Sequence, residues 1–169
     1  MENAIKILLV EDNPPDARLL VEMLAESSIR GKFTLKKAER FSEAVRALAG
    51  ERFDVVLLDL MLPDSSGLDT FRTVHGKYPD VPIVLLTGLA DENLAANAVR
   101  EGAQDYLVKG QVDPNLLARA LRYAIERNRS DHETKGASKP KHKDGGPVYI
   151  DMIGKSPALA EVRTLISTV

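Results

Sequence analysis

Val55-Val56-Leu57-Leu58-Asp59 is the stretch that decides the fold. Four consecutive apolar residues lead straight into a carboxylate. A run this short, with β-branched side chains, predicts a strand buried on both faces, the strand type of a parallel sheet covered by helices. In an open sheet of that kind, ligands bind in the crevice beyond the carboxyl ends of the strands. Asp59 stands where this strand opens into that crevice.

Working outward, the same pattern recurs. Ile7-Leu8-Leu9-Val10 runs into Glu11-Asp12, Ile83-Val84-Leu85-Leu86 into Thr87-Gly88, and Tyr106-Leu107-Val108 into Lys109-Gly110. Phe33 to Ala38 is a poorer strand, expected near a sheet edge. Helical stripes lie between the strands. Asn13 can cap the first helix and Pro14 suits its first turn, with Ala17, Leu20, Val21 and Leu24 on one face. Ser42 is expected to cap the second, whose stripe is Val45, Leu48 and Ala49 and which Gly50 stops. Leu68, Phe71 and Val74 mark the third. An alanine-rich helix from Asp91 to Arg100 is closed by Gly102. Asp113-Pro114 starts the last, with Leu117, Ala120, Leu121 and Ala124. Five strand–helix pairs with short connections predict an α/β fold, a five-stranded parallel sheet doubly wound by helices.

Of 169 residues, 44% are hydrophobic, 5% are aromatic and none is Trp, so the core must be aliphatic. A net charge of -2 gives no global pull toward nucleic acid or anionic lipid. The absence of Cys excludes a disulfide framework and a thiolate metal site. Met1 to Lys6 lacks the layout of a signal peptide, and no apolar run approaches the ~20 residues that span a bilayer. A cytoplasmic protein with no membrane partner is expected. Composition changes after Arg129. Residues 1–129 form the first domain, and 130–147 read as a flexible linker, almost without apolar side chains. Pattern resumes at 148–169, the expected truncated start of a second domain.

Each strong strand thus ends on a residue with chemistry. Singly, each has an ordinary explanation: Asp12 a helix cap, Asp59 a turn residue, Thr87 a strand residue, Lys109 an exposed lysine. Their arrival at one sheet edge is harder to dismiss. Three carboxylates in one crevice repel, and one is forced to protonate unless a cation intervenes. Oxygen ligands without His or Cys suit a hard ion, Mg2+ or Mn2+. Lys109 supplies a second, fixed cation. A carboxylate flanked by a metal and an ammonium is set up as a nucleophile toward phosphorus, because phosphoryl transfer needs mainly positioning and charge neutralisation. The Thr87 hydroxyl and nearby N–H groups are candidates to hold the transferred oxygens, with room left by Gly88.

Glu11-Asp12 after the first strand, the Asp59…Pro63…Gly67 spacing, Thr87-Gly88, and Tyr106 three residues ahead of Lys109 together resemble the receiver domain of two-component response regulators. The resemblance covers roughly residues 5–128. It implies a five-stranded flavodoxin-like sandwich in which Asp59 accepts a phosphoryl group from a sensor histidine kinase. By the same resemblance Glu11, Asp12, Asp59 and the backbone carbonyl of Met61 hold Mg2+, and Lys109 contacts the phosphoryl group. Phosphorylation would draw the Thr87 hydroxyl inward and let Tyr106 rotate. That would change the surface of the fourth helix, fifth strand and fifth helix, the expected homodimer face. Such a domain is not an enzyme beyond accepting and slowly losing its own phosphoryl group. Met61 and Leu89 flank the site where the family tunes hydrolysis. Neither can orient a water, which implies a long-lived phosphoryl group. The family usually has Pro after the lysine, often as a cis peptide; here it is Gly110. A non-proline cis bond costs ~2.5–4 kcal/mol, which weighs toward trans, but the sequence leaves the Lys109–Gly110 peptide open between cis and trans.

Two rivals fail on residues. A Mg2+-dependent phosphatase of the aspartyl-phosphate type needs a second Asp two residues after the nucleophile, where this chain has Met61. A flavin carrier needs N–H donors after the first strand, where Glu11-Asp12 would repel a phosphate. Gly154-Lys155-Ser156 looks like the end of a Walker A loop, but Tyr149 stands where its first Gly belongs. Residues 153–159 and the Val162/Leu165/Ile166 stripe are instead similar to the first residues of the AAA+ domain of sigma-54-dependent activators. That implies a transcription-activating output, with DNA met only through missing downstream domains. The alternative is a receiver attached to a different output, a signalling enzyme or a protein–protein contact.

Overall fold

The central run is buried at every position: Val55 to Asp59 forms a strand with no exposed side chain. It belongs to a computed structural model that describes residues 4–30 and 32–135. In chain order its elements are β1 (Ile5–Val10), α1 (Pro14–Glu26), β2 (Phe33–Ala38), α2 (Phe41–Gly50) and β3 (Val55–Asp59). A short pair, β4 (Met61–Leu62) and β5 (Ser65–Ser66), leads into α3 (Leu68–Lys77). Then come β6 (Ile83–Thr87), a 3₁₀ turn at Leu89–Asp91, α4 (Glu92–Arg100), β7 (Asp105–Val108) and α5 (Pro114–Lys135).

Five strands make one parallel sheet in the order β2-β1-β3-β6-β7. β3 lies in the middle, which is why its residues face helices on both sides. The expected edge position of Phe33 to Ala38 holds: β2 is terminal, and its exposed residues include Thr34, Lys36 and Lys37. Alternation along β1 splits the core in two. Leu8 and Val10 join Ala44, Leu48, Phe71, Val74, Ala95 and Ala98 on the α2–α3–α4 side. Ile7 and Leu9 join Ala17, Leu20, Leu24, Leu117 and Leu121 on the α1–α5 side. Burying one such aliphatic side chain is worth roughly 1.5–3 kcal/mol, so both layers hold the sheet's end firmly in place.

Three local readings are corrected. Ser42 does not cap α2. Arg40 occupies the cap position without a side-chain bond, and the Asp64 carboxylate accepts from the N–H of Phe41 at 2.7 Å and of Ser42 at 3.0 Å. The buried stripe of α2 is Ala44, Ala47 and Leu48; Ala49 is exposed. The third concerns α5, which continues to Lys135, so residues 130–135 of the expected linker are helical. Asn128 donates to the Asp80 carbonyl at 2.7 Å and His132 lies 3.6 Å from the Asp80 carboxylate, which ties this polar extension to the loop after α3. The rest of the expected linker and the expected second domain at 148–169 lie outside the described residues.

Asp64 carries a pH signature. The N–H of Ser42 foremost, with Phe41 behind it, holds its carboxyl below the ordinary value of 3.8. A depressed folded value means the bond stabilises fully above the unfolded value and fades as the pH falls through the folded one. Thermal melts of wild type and Asp64→Ala should therefore differ at neutral pH, with the variant lower, and converge in strong acid. A gap that stays constant into strong acid would remove this cap from the account.

Candidate functional site

Parallel register brings the chemistry-bearing strand ends to one edge. Glu11 follows β1, Asp59 ends β3, Thr87 ends β6 and Lys109 follows β7. Asp59 sits opposite Leu86, and Thr87 opposite Val108, so the ends are staggered by single residues. The Lys109 N–H donates to the Thr87 carbonyl at 2.8 Å and continues the ladder past the strand end.

The side chain of Lys109 is the hub. Its Nζ donates to Asp59 Oδ2 at 2.7 Å and to Asp16 Oδ2 at 3.2 Å, and lies 2.5 Å from Glu11 Oε2. Partial burial works against the ammonium, but its hydrogen bond to Asp59 and its contact with Glu11 outweigh it and hold Lys109 above the ordinary lysine value. Asp59 is nearly fully buried, and its other oxygen, Oδ1, accepts from the Met61 N–H at 2.9 Å. Both carboxylate oxygens are therefore fixed.

Glu11 is buried as well. Its Oε1 accepts from the Asn13 N–H at 3.0 Å. Its Oε2 is buried and has the Lys109 ammonium, shared with Asp59 and Asp16, as its counter-charge. Burial, with a smaller push from the Asp59 charge, raises its pKa to about 7 against the pull of Lys109 and Asn13. One ammonium shared among buried carboxylates leaves excess negative charge that calls for a further cation. Carboxylate oxygens of Glu11, Asp12 and Asp59 lie within 4.8 Å of one another, and Asp12 is exposed, so one side of the cluster opens to solvent. Oxygen donors of this kind, with room for water, fit a small hard divalent ion.

Of the expected site residues, Glu11, Asp12, Asp59 and Lys109 come together. Met61 reaches the site through its N–H; its side chain is half-exposed. Thr87 is buried beside the cluster, and its hydroxyl donates to the Gly88 carbonyl at 3.2 Å, not to Asp59. A Cβ at Gly88 would meet Asp91 Oδ2 at 3.7 Å, an ordinary van der Waals contact. Tyr106 stands apart, half-buried against the α2–α3–α4 core. Asp16 was not among the expected site residues. The available signal was its place one turn into α1, just after the acidic pair.

Residues 7–122 match the response regulator receiver domain family. The chain is 30% identical over 158 residues to the response regulator protein PilR of Pseudomonas aeruginosa, covering 94% of this chain and 32% of PilR. It is 32% identical over 134 residues to the DNA-binding transcriptional regulator NtrC of Proteus hauseri, covering 76% of this chain and 26% of that protein. The signal receiver domain of an HD domain-containing protein from Pseudomonas fluorescens Pf-5 superposes with a TM-score of 0.68 at 31% identity, over 79% of this chain and 95% of that one. This chain spans about a third or less of the curated relatives it matches.

Gly110 fixes the far side of the hub. No cis peptide occurs among the described residues, so the Lys109–Gly110 bond, left open by the sequence, is trans, and Gly110 has φ +83°. A glycine at that dihedral turns the chain immediately after the lysine. A Cβ there would meet nothing within 4 Å, so the cost of adding one is backbone strain alone. Gly110→Ala should lose about 1–2 kcal/mol by denaturant unfolding. Gly110→Pro, whose ring demands a negative φ, should lose more. Equal stability of Gly110→Pro and wild type would show that this backbone is not obligatory.

Proposed function

The chain belongs to the response regulator receiver family, and from that premise we propose that Asp59 is its phosphoryl acceptor, charged by a sensor histidine kinase. The observation that carries the reading is the 2.7 Å bond between Lys109 Nζ and Asp59 Oδ2 inside a buried acidic cluster. An Asp59 oxygen attacks the phosphorus of a phosphohistidine, the P–N bond breaks, the imidazole leaves, and an acyl phosphate forms. Lys109 stays beside the phosphoryl oxygens and offsets their charge. The Met61 N–H holds the carboxylate in line. Thr87 gives up its 3.2 Å bond to Gly88 for a phosphoryl oxygen. Glu11, Asp12, Asp59 and the Met61 carbonyl would hold Mg2+, which supplies charge neutralisation during transfer. No reaction on a separate substrate is assigned to the domain.

The readout follows from Thr87 moving. Tyr106, half-buried on β7, turns into the space released, and the α4–β7–α5 face becomes the homodimer surface. A cytoplasmic location goes with this reading. For the output we favour sigma-54-dependent transcription activation. Similarity to PilR extends over 94% of the chain, and the NtrC relative is named as a DNA-binding transcriptional regulator. The second reading is a signalling-enzyme output, favoured by the likeness to the receiver of an HD domain-containing protein.

Incubation with acetyl phosphate and Mg2+ should add one phosphoryl mass to the intact wild type and none to Asp59→Asn. Omitting Mg2+ should abolish or sharply slow the gain. An unmodified wild type under these conditions removes the reading. Met61 and Leu89, 53% and 66% exposed, stand at the positions where the family tunes hydrolysis, and neither apolar side chain can orient an attacking water. Decay of the adduct should therefore be slow, and Met61→Asn should shorten its half-life. An unchanged half-life would show that this flank does not limit hydrolysis.

A further inference from the structure

The ammonium of Lys109 has three N–H donors and three carboxylate neighbours, and these neighbours are not equivalent. The side chains of Glu11 and Asp59 are 0% and 6% exposed, whereas that of Asp16 is 39% exposed. Asp16 also makes the longest contact, at 3.2 Å, so it holds the outward side of the ammonium. Its backbone is fixed: Pro14 and Pro15 begin α1, and the Asp16 N–H donates to the Asn13 side chain at 3.2 Å. A phosphoryl group arriving from solvent needs an N–H on that outward side.

We infer that Asp16 is a positioning residue that occupies the outward N–H of Lys109 at rest and must release it when Asp59 takes the phosphoryl group. It ties the site's one ammonium to α1 and acts as a brake on phosphorylation. The inference rests on the phosphoacceptor reading above. Asp16 also suits a helix N-terminus, where an acidic side chain is favourable in its own right. A helix role alone, however, gives no coupling to Lys109.

The test is a double-mutant cycle read by initial rates of adduct formation with acetyl phosphate at fixed Mg2+, together with the Lys109 Nζ resonance by NMR. Asp16→Asn should raise the rate about two- to fivefold, the range a partly exposed ion pair supplies. Asp16→Glu should stay near wild type. In a Lys109→Gln background, Asp16→Asn should have no further effect. The Lys109 Nζ signal should move in Asp16→Asn and return in Asp16→Glu. An unchanged rate in Asp16→Asn, an equal effect without Lys109, or an insensitive Nζ signal overturns the inference. A wild type that gains no adduct defeats the phosphoacceptor reading instead, and the tether then stands or falls on the Nζ signal.

Discussion

A single ammonium set among carboxylates is the constraint the site depends on. Glu11, Asp16 and Asp59 all contact Lys109 Nζ, and Asp12 lies next to Glu11 and Asp59. Four negative groups against one positive leave the edge short of cation. The shortage is visible in the molecule: Glu11 Oε2 is buried and shares its ammonium with Asp16 and Asp59, and its acid is pushed to about 7, chiefly by burial. The sheet order makes the demand on Lys109 geometric as well. β7 is separated from β3 by β6, two interstrand spacings or about 10 Å. A four-carbon stem bridges that gap over the end of β6, where a shorter side chain would stop at Thr87. The turn at Gly110, with its positive φ, then carries the chain away from the site.

The strand pattern was readable because burial on both faces leaves a continuous apolar run, and each run has a sharp chemical end. That sufficed for the sheet, the five helices and the meeting of Glu11, Asp12, Asp59 and Lys109. The misreadings of Ser42, α5 and Asp16 share one cause, which is that a side chain's partner is set by tertiary contact. α2 is capped by Asp64, 22 residues away from Ser42, and no local motif announces such a cap. The Ala49 error came from centring the stripe one residue late in a short helix whose buried positions are mostly alanine. α5 outran its apolar stripe because Asp80, on a distant loop, gives Asn128 and His132 something to hold. The contact between Asp16 and Lys109 spans 93 residues and is invisible to periodicity. Local signals explain Asp16 fully as a helix-start residue, and only the fold gives it a second partner.

A switch needs one part that does not move and one part with two nearly equal positions. β3 supplies the first, since its five residues are buried and its terminal carboxylate is pinned on both oxygens. The second lies one strand over. The Thr87 hydroxyl, although buried, makes only a 3.2 Å bond to the carbonyl of the next residue. Exchanging it for a bond to a charged phosphoryl oxygen loses little and gains a charge-assisted contact. Tyr106, half-buried on the neighbouring strand, is not locked by full burial as Leu107 and Val108 are. A phosphoryl group shifts such an equilibrium only through contacts that differ between its two states. On the proposed reading, the rigid carboxylate and the loosely held hydroxyl would create that difference: the new oxygens would strengthen one position of Thr87 while Asp59 stays where the core holds it.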